Sequence, residues 1–156
     1  MKIMDFLSED AITVDLKSVN KNDAIKELTE LLIGASEVDK KDKGKVVELL
    51  LAREALGSTA IGHNVGIPHA KVDCTKDLIG AFGLSKKGVD FDSLDGEPVY
   101  IFFLLLAPQD SAGPHLKALA RISRLIKDKY FRDTLRQAKD KKDVIHIIES
   151  EDEKKI

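Results

Sequence analysis

Val99-Tyr-Ile-Phe-Phe-Leu-Leu-Leu-Ala107 is an unbroken apolar run. A membrane-spanning helix needs about 20 such residues, so this run does not cross a bilayer. It reads instead as a strand buried at the centre of a sheet. The rest of the chain must then supply elements that pack against that strand.

The flanking sequence provides them. Ala11–Leu16 alternates loosely, as a strand does. From Asn20 to Gly34 the pattern is helical: Ala24, Leu28, Leu31 and Leu32 form one apolar stripe, and Asn20 or Asn22 can cap the first amides. Asp39–Gly44 reads as a charged linker. A second helix is expected over Lys45–Leu56, its stripe drawn from Val46, Leu49, Leu50 and Leu56, with Gly57 suited to the residue past its end. Val65–His69 is a short extended segment, which is an edge or breaks at Pro68 because proline has no N–H to give a ladder. Leu78–Leu84 is a further strand, Ser85–Gly88 a turn with two solvated lysines, and 90–98 a turn region. Beyond the loop from Pro108, Pro114 suits the first turn of a helix to about Lys127. Two short helices follow, near Phe131–Ala138 and Asp143–Glu149, and the chain ends in a solvated tail from about residue 150. Helices alternate with strands, so the class is α/β, a single domain over 1–156.

Bulk properties narrow the function. The formal net charge is 25 − 27 = −2, and no basic excess marks a nucleic-acid binder. The first residues, Met1–Phe6, lack a signal peptide's apolar core and cleavage site. Cys74 is the single cysteine, which precludes an internal disulfide and fits a reducing cytoplasm.

Chemistry concentrates in Gly57-Ser-Thr-Ala-Ile-Gly-His-Asn-Val-Gly-Ile-Pro-His-Ala-Lys-Val72. Pro68 fixes its own φ and biases Ile67 toward extended geometry, so His69 is either rigidly presented for chemistry or satisfied at a strand end. Arg53 falls within the apolar stripe of the second helix. Pointing inward it needs an anion or several acceptors, unless it snorkels or pairs with a carboxylate. His115 follows Pro114 and shares a face with Leu119, Ile122 and Ile126. It either fills a helix start or sits where the positive end of the helix dipole favours anions. His63 reads as an exposed turn residue, His146 as peripheral packing, Cys74 as inert, and Ser58 and Thr59 as turn or capping groups whose hydroxyls could reach an anion.

Rival chemistries lack their signatures. There is no GxSxG elbow, no Walker A loop and no GxGxxG fingerprint. His63, His69 and His115 have no recognisable zinc spacing. A histidine that can lie near an arginine, a second histidine and a helix N-terminus suits an imidazole carrying a phosphoryl group, because that transfer needs mainly positioning and charge balance.

At these residues the sequence resembles a known family. Arg53-Glu-Ala-Leu-Gly-Ser-Thr-Ala-Ile-Gly62 with Val65-Gly-Ile-Pro-His-Ala70, and later His115-Leu-Lys-Ala-Leu-Ala120, resemble the fructose/mannitol-type enzyme IIA domain of the bacterial phosphoenolpyruvate-dependent sugar phosphotransferase system, a pattern that nitrogen-regulatory IIA-like proteins share. Gly66 departs from it, since the family usually has alanine there. The resemblance implies a mixed sheet of roughly five strands flanked by helices on both faces. It implies His69 as the phosphoryl acceptor, on Nε2, with His115 and Arg53 contacting the group. The donor would be the phosphohistidine carrier HPr or its nitrogen-branch counterpart, and the acceptor a cysteine of a IIB domain or, in a regulatory protein, a partner bound according to phosphorylation state. Neither cofactor nor metal, nucleic acid nor membrane insertion is implied.

Overall fold

The computed structural model describes residues 1–154. The apolar run lies in β6 (Val99–Pro108), and the sheet is built around it. The other strands are β1 (Leu7–Thr13), β2 (Ala60–Gly62), β3 (Val65–Gly66), β4 (His69–Val72) and β5 (Ile79–Val89). The six-stranded sheet runs β1-β5-β6-β3-β2, with β4 also paired to β6. It is mixed: β5 is antiparallel to β6, whereas β3 and β4 both run parallel to it.

Alternation from Ile101 to Leu106 explains why that part of β6 has no polar position. Phe102, Leu104 and Leu106 enter the core beneath α1 (Lys21–Gly34) and α2 (Lys43–Ala55). Ile101, Phe103 and Leu105 enter the opposite core, against α3 (Ala112–Ile126), α4 (Lys129–Arg136) and α5 (Lys141–Lys154). Helices therefore cover both faces, as expected, and a β6 residue turned either way meets apolar side chains.

The extended segment before His69 breaks in two at Ile67-Pro68. Its halves keep one course along the same edge of β6: Val65 pairs with Ile101 and His69 with Leu105. The Leu105 amide donates to the Pro68 carbonyl at 2.9 Å, so the missing proline N–H interrupts the strand without detaching it. His69 thus starts a short strand bonded to the most buried strand of the sheet.

Several boundaries differ from the sequence expectation. β1 begins four residues before Ala11. The charged linker contains a turn of 3-10 helix at Lys40–Asp42 and runs directly into α2. Ser85–Gly88 is a bulge inside β5, not a turn: the Gly88 amide donates to the Ser85 hydroxyl at 2.9 Å, and the ladder to β6 resumes at Val89. The solvated tail is the largest discrepancy. α5 continues to Lys154 with Glu151 and Asp152 buried in it. Lys155 and Ile156 lie outside the described residues.

Candidate functional site

Local sequence places His69, His115 and Arg53 on three different elements. His69 opens β4. His115 lies in the first turn of α3, whose buried face continues through Ala118, Ile122, Leu125 and Ile126, so the imidazole is turned inward and is 6% exposed. Arg53 is half-buried in the last turn of α2. All three line one cavity of about 450 Å³, walled on its apolar sides by Leu49, Leu116 and Leu119.

The two imidazoles meet edge to face, with ring centroids 5.3 Å apart. His69 Nδ1 lies 2.8 Å from the Ile67 carbonyl oxygen. A carbonyl only accepts, so Nδ1 carries the proton and Nε2 keeps the ring's lone pair. His115 Nε2 is buried with no hydrogen-bond partner among the described residues. A buried polar nitrogen left unbonded is costly and calls for a ligand atom. Ser111, at the α3 N-cap, makes no side-chain bond to the first turn, so the positive end of the helix beside His115 has no side-chain cap.

Both histidines are held below the ordinary titration range. For His69 burial is the main cause and the Arg53 cation adds to it, while the bond to Ile67 and the Glu54 carboxylate oppose it. For His115 burial again leads, followed by charge on His69 and on Lys71. Neutral rings at neutral pH have a nucleophilic nitrogen to offer.

Arg53 reaches the site by a different route from the expected one. The buried stripe of α2 is Val46, Val47, Leu50 and Glu54, while Leu56 is 84% exposed. The helix is turned so that Arg53 flanks the core instead of entering it. Its Nη1 donates to the Gly57 carbonyl at 2.9 Å, which steadies the guanidinium at the cavity edge and leaves other donors for an anion.

The remaining residues fall as follows. His63 is exposed at a positive φ of 57°, with Asn64 at 63°, in the tight turn between β2 and β3. His146 is exposed on α5 and not packed as expected, because Val144 and Ile148 take the inward positions. The Cys74 thiol is raised by burial, consistent with an inert group. Ser58 accepts from the Ala60 amide, and Thr59 is bonded to Glu54; neither hydroxyl lines the cavity. No group of three or more metal-ligating side chains occurs among the described residues. One residue lining the cavity is missing from the sequence reading, and another beside it has no role there beyond its place in the family pattern. Lys71, two residues after His69 and so on the same strand face, adds a cation. Glu54, buried under the loop that follows α2, pairs with Lys21 at 3.5 Å.

A mixed sheet with helices on both faces is the fold shared with solved IIA structures. Residues 5–151 match the family model for the phosphoenolpyruvate-dependent sugar phosphotransferase system, EIIA 2, and the chain belongs to that family, whose domains are phosphoryl-transfer components. A nitrogen regulatory protein of Bradyrhizobium diazoefficiens is 40% identical over 95% of each chain. The fructose-specific EIIABC component of Bacillus subtilis is 36% identical over 97% of this chain, which spans 24% of that larger protein. The crystal structure of nitrogen regulatory protein IIA-Ntr from Neisseria meningitidis superposes with a TM-score of 0.84 at 32% identity, covering 94% of this chain and 98% of that one. No helix among the described residues is long and apolar enough to cross a membrane.

Proposed function

We propose that the chain is a phosphoryl carrier acting as one IIA domain in the cytoplasm, and that His69 Nε2 is the acceptor atom. The observation that carries this reading is the His69 Nδ1 contact with the Ile67 carbonyl, which leaves Nε2 as the free nitrogen of a ring lining the cavity. The Nε2 lone pair forms a bond to phosphorus. The bond from phosphorus to the donor's histidine nitrogen breaks, and its electron pair returns to that nitrogen. The Nδ1 proton stays in place, held by Ile67. Arg53 and His115 balance charge on the three phosphoryl oxygens, His115 by turning a ring N–H to one of them, and the start of α3 adds its dipole. The donor is HPr or its nitrogen-branch counterpart, the acceptor a cysteine of a IIB domain, and the transfer uses no cofactor.

The test is passage of label from phosphoenolpyruvate through enzyme I and HPr. Label is expected on His69 and lost in His69→Ala; label retained by that variant would overturn the assignment. A second reading, regulation of partner proteins by phosphorylation state, is favoured by the relatives named nitrogen regulatory proteins that match along nearly their whole length. Efficient transfer from the phosphorylated protein to a sugar-specific IIB supports the carrier role; no transfer to any IIB supports the regulatory one.

A further inference from the structure

The carboxylate of Glu54 is 4% exposed beneath a loop; Lys21 offsets its charge at 3.5 Å, and its remaining bonds run toward the site. It accepts from the Thr59 amide at 3.2 Å and, through its other oxygen, from the Thr59 hydroxyl. The Thr59 carbonyl in turn accepts from the Ile67 amide at 3.1 Å. Ile67 then presents its own carbonyl to His69 Nδ1 at 2.8 Å. Four residues therefore form one unbroken path from a buried charge to the imidazole. On the far side the path is closed by the Leu105 bond to Pro68.

We propose that Glu54, acting through Thr59 and Ile67, is a positioning residue that fixes the ring orientation and the Nδ1–H tautomer of His69. The inference rests on the reading of His69 as phosphoryl acceptor. A neutral imidazole can carry its proton on either nitrogen, and a proton on Nε2 would occupy the lone pair that attacks phosphorus. The tautomer depends on where the Ile67 carbonyl lies, and Ile67 is held by Thr59. A carboxylate suits the task because it offers two acceptor oxygens, one for the Thr59 amide and one for its hydroxyl. Glutamine has the same shape but removes the charge, and its amide nitrogen has to donate to the Thr59 hydroxyl, reversing the direction of that bond.

The experiment compares Glu54→Gln, Thr59→Val and Thr59→Ser with the unsubstituted protein by two measurements. Nitrogen-15 shifts of the His69 ring, recorded without any donor and above the ring's titration, report the tautomer. Single-turnover labelling of His69 by phosphorylated HPr reports the transfer rate. The first two variants are expected to move the ring from the Nδ1–H form toward a mixture and to slow labelling on the order of 10-fold to 100-fold, as misplacing a reacting group does. Thr59→Ser, which keeps the hydroxyl, is expected to restore both. Unchanged ring shifts in both folded variants would overturn the proposal, as would slower labelling with the tautomer intact. Should Glu54→Gln fold poorly, the Thr59 pair decides alone. Label absent from His69 in the unsubstituted protein counts against the acceptor reading, and the ring shifts then still decide what Glu54 does.

Discussion

His69 and His115 contribute a pH dependence whose sign follows from their surroundings. Both are depressed in the folded protein, chiefly by burial. The unfolded chain therefore binds protons first, with histidines near their ordinary value of about 6.5. The stability tied to the neutral rings is fully present above that value and is lost as pH falls through the folded values. Unfolding free energy from urea titrations is expected to decline between pH 7 and pH 5, before the carboxylates titrate. A His69→Ala, His115→Ala double variant should show a flatter profile over the same window. An equal slope in that variant would mean that other groups set the dependence. These two histidines stand out in the sequence because a proline precedes each, but that local signal leaves packing and chemistry both open, and it is the resemblance of the surrounding motif that singles them out. Lys71 carries no such signal, and Glu54 only its place in the family pattern. Their importance lies in what they touch across the fold, which spacing along the chain does not encode.

Whole elements were read well where one apolar period persists and poorly where it is interrupted. α1 begins at Lys21 behind the Asn20 cap, whose side chain accepts from Asp23 at 2.9 Å, as its pattern predicts. In α2, Leu56 pulls the apparent stripe away from its true centre, because exposed leucines are common and a wheel counts them as core. The sequence ends the expected strand at Leu84 because Ser85-Lys-Lys-Gly has turn composition, but in β5 the bulge keeps both lysines in water while the strand continues. β3 holds the clearest departure from the family pattern, Gly66, which lies opposite Phe102. A Cβ there would stand 3.2 Å from the Phe102 ring and 3.4 Å from Val99, so the space of the usual alanine methyl is already filled by this chain's own core. Phe102 cannot easily yield, being fully buried and stacked edge to face on Phe91 at 5.1 Å. Gly66→Ala is expected to cost about 1 kcal/mol or more through overpacking. Combining it with Phe102→Leu should cost less than the two single losses added, since the smaller side chain relieves the contact. Strict additivity in a double-mutant cycle would show that Phe102 is not what excludes the methyl.

At the scale of the molecule, the last helix closes the fold around an ion pair joining both ends of the chain to the helix that carries His115. Asp152, 2% exposed, accepts from the Ile3 amide at 2.5 Å and from the guanidinium of Arg121 on α3. Arg121 also donates to the Asp152 main-chain carbonyl at 2.7 Å. The sequence here, Glu149-Ser-Glu-Asp-Glu-Lys-Lys155, has the composition of a solvated tail, and composition alone gives that reading. The burial of Asp152 becomes visible only when a cation 31 residues away and an N-terminal amide are known to converge on its carboxylate. Removing one member of such a set leaves the other charge uncompensated, which is more damaging than never having built the pair. Asp152→Ala is therefore expected to lower unfolding free energy by about 3 kcal/mol. Glu153→Ala, at the exposed neighbouring position, should change it by no more than about 0.5 kcal/mol. Replacing both partners, Arg121→Met with Asp152→Leu, should recover part of the loss, because apolar groups of similar volume carry no stranded charge. Urea unfolding followed by circular dichroism measures all three. Equal, small effects of Asp152→Ala and Glu153→Ala would mean that α5 is dispensable for holding α3. A large loss confined to Asp152 would mean instead that the geometry presenting His115 to the cavity is anchored from the opposite end of the chain.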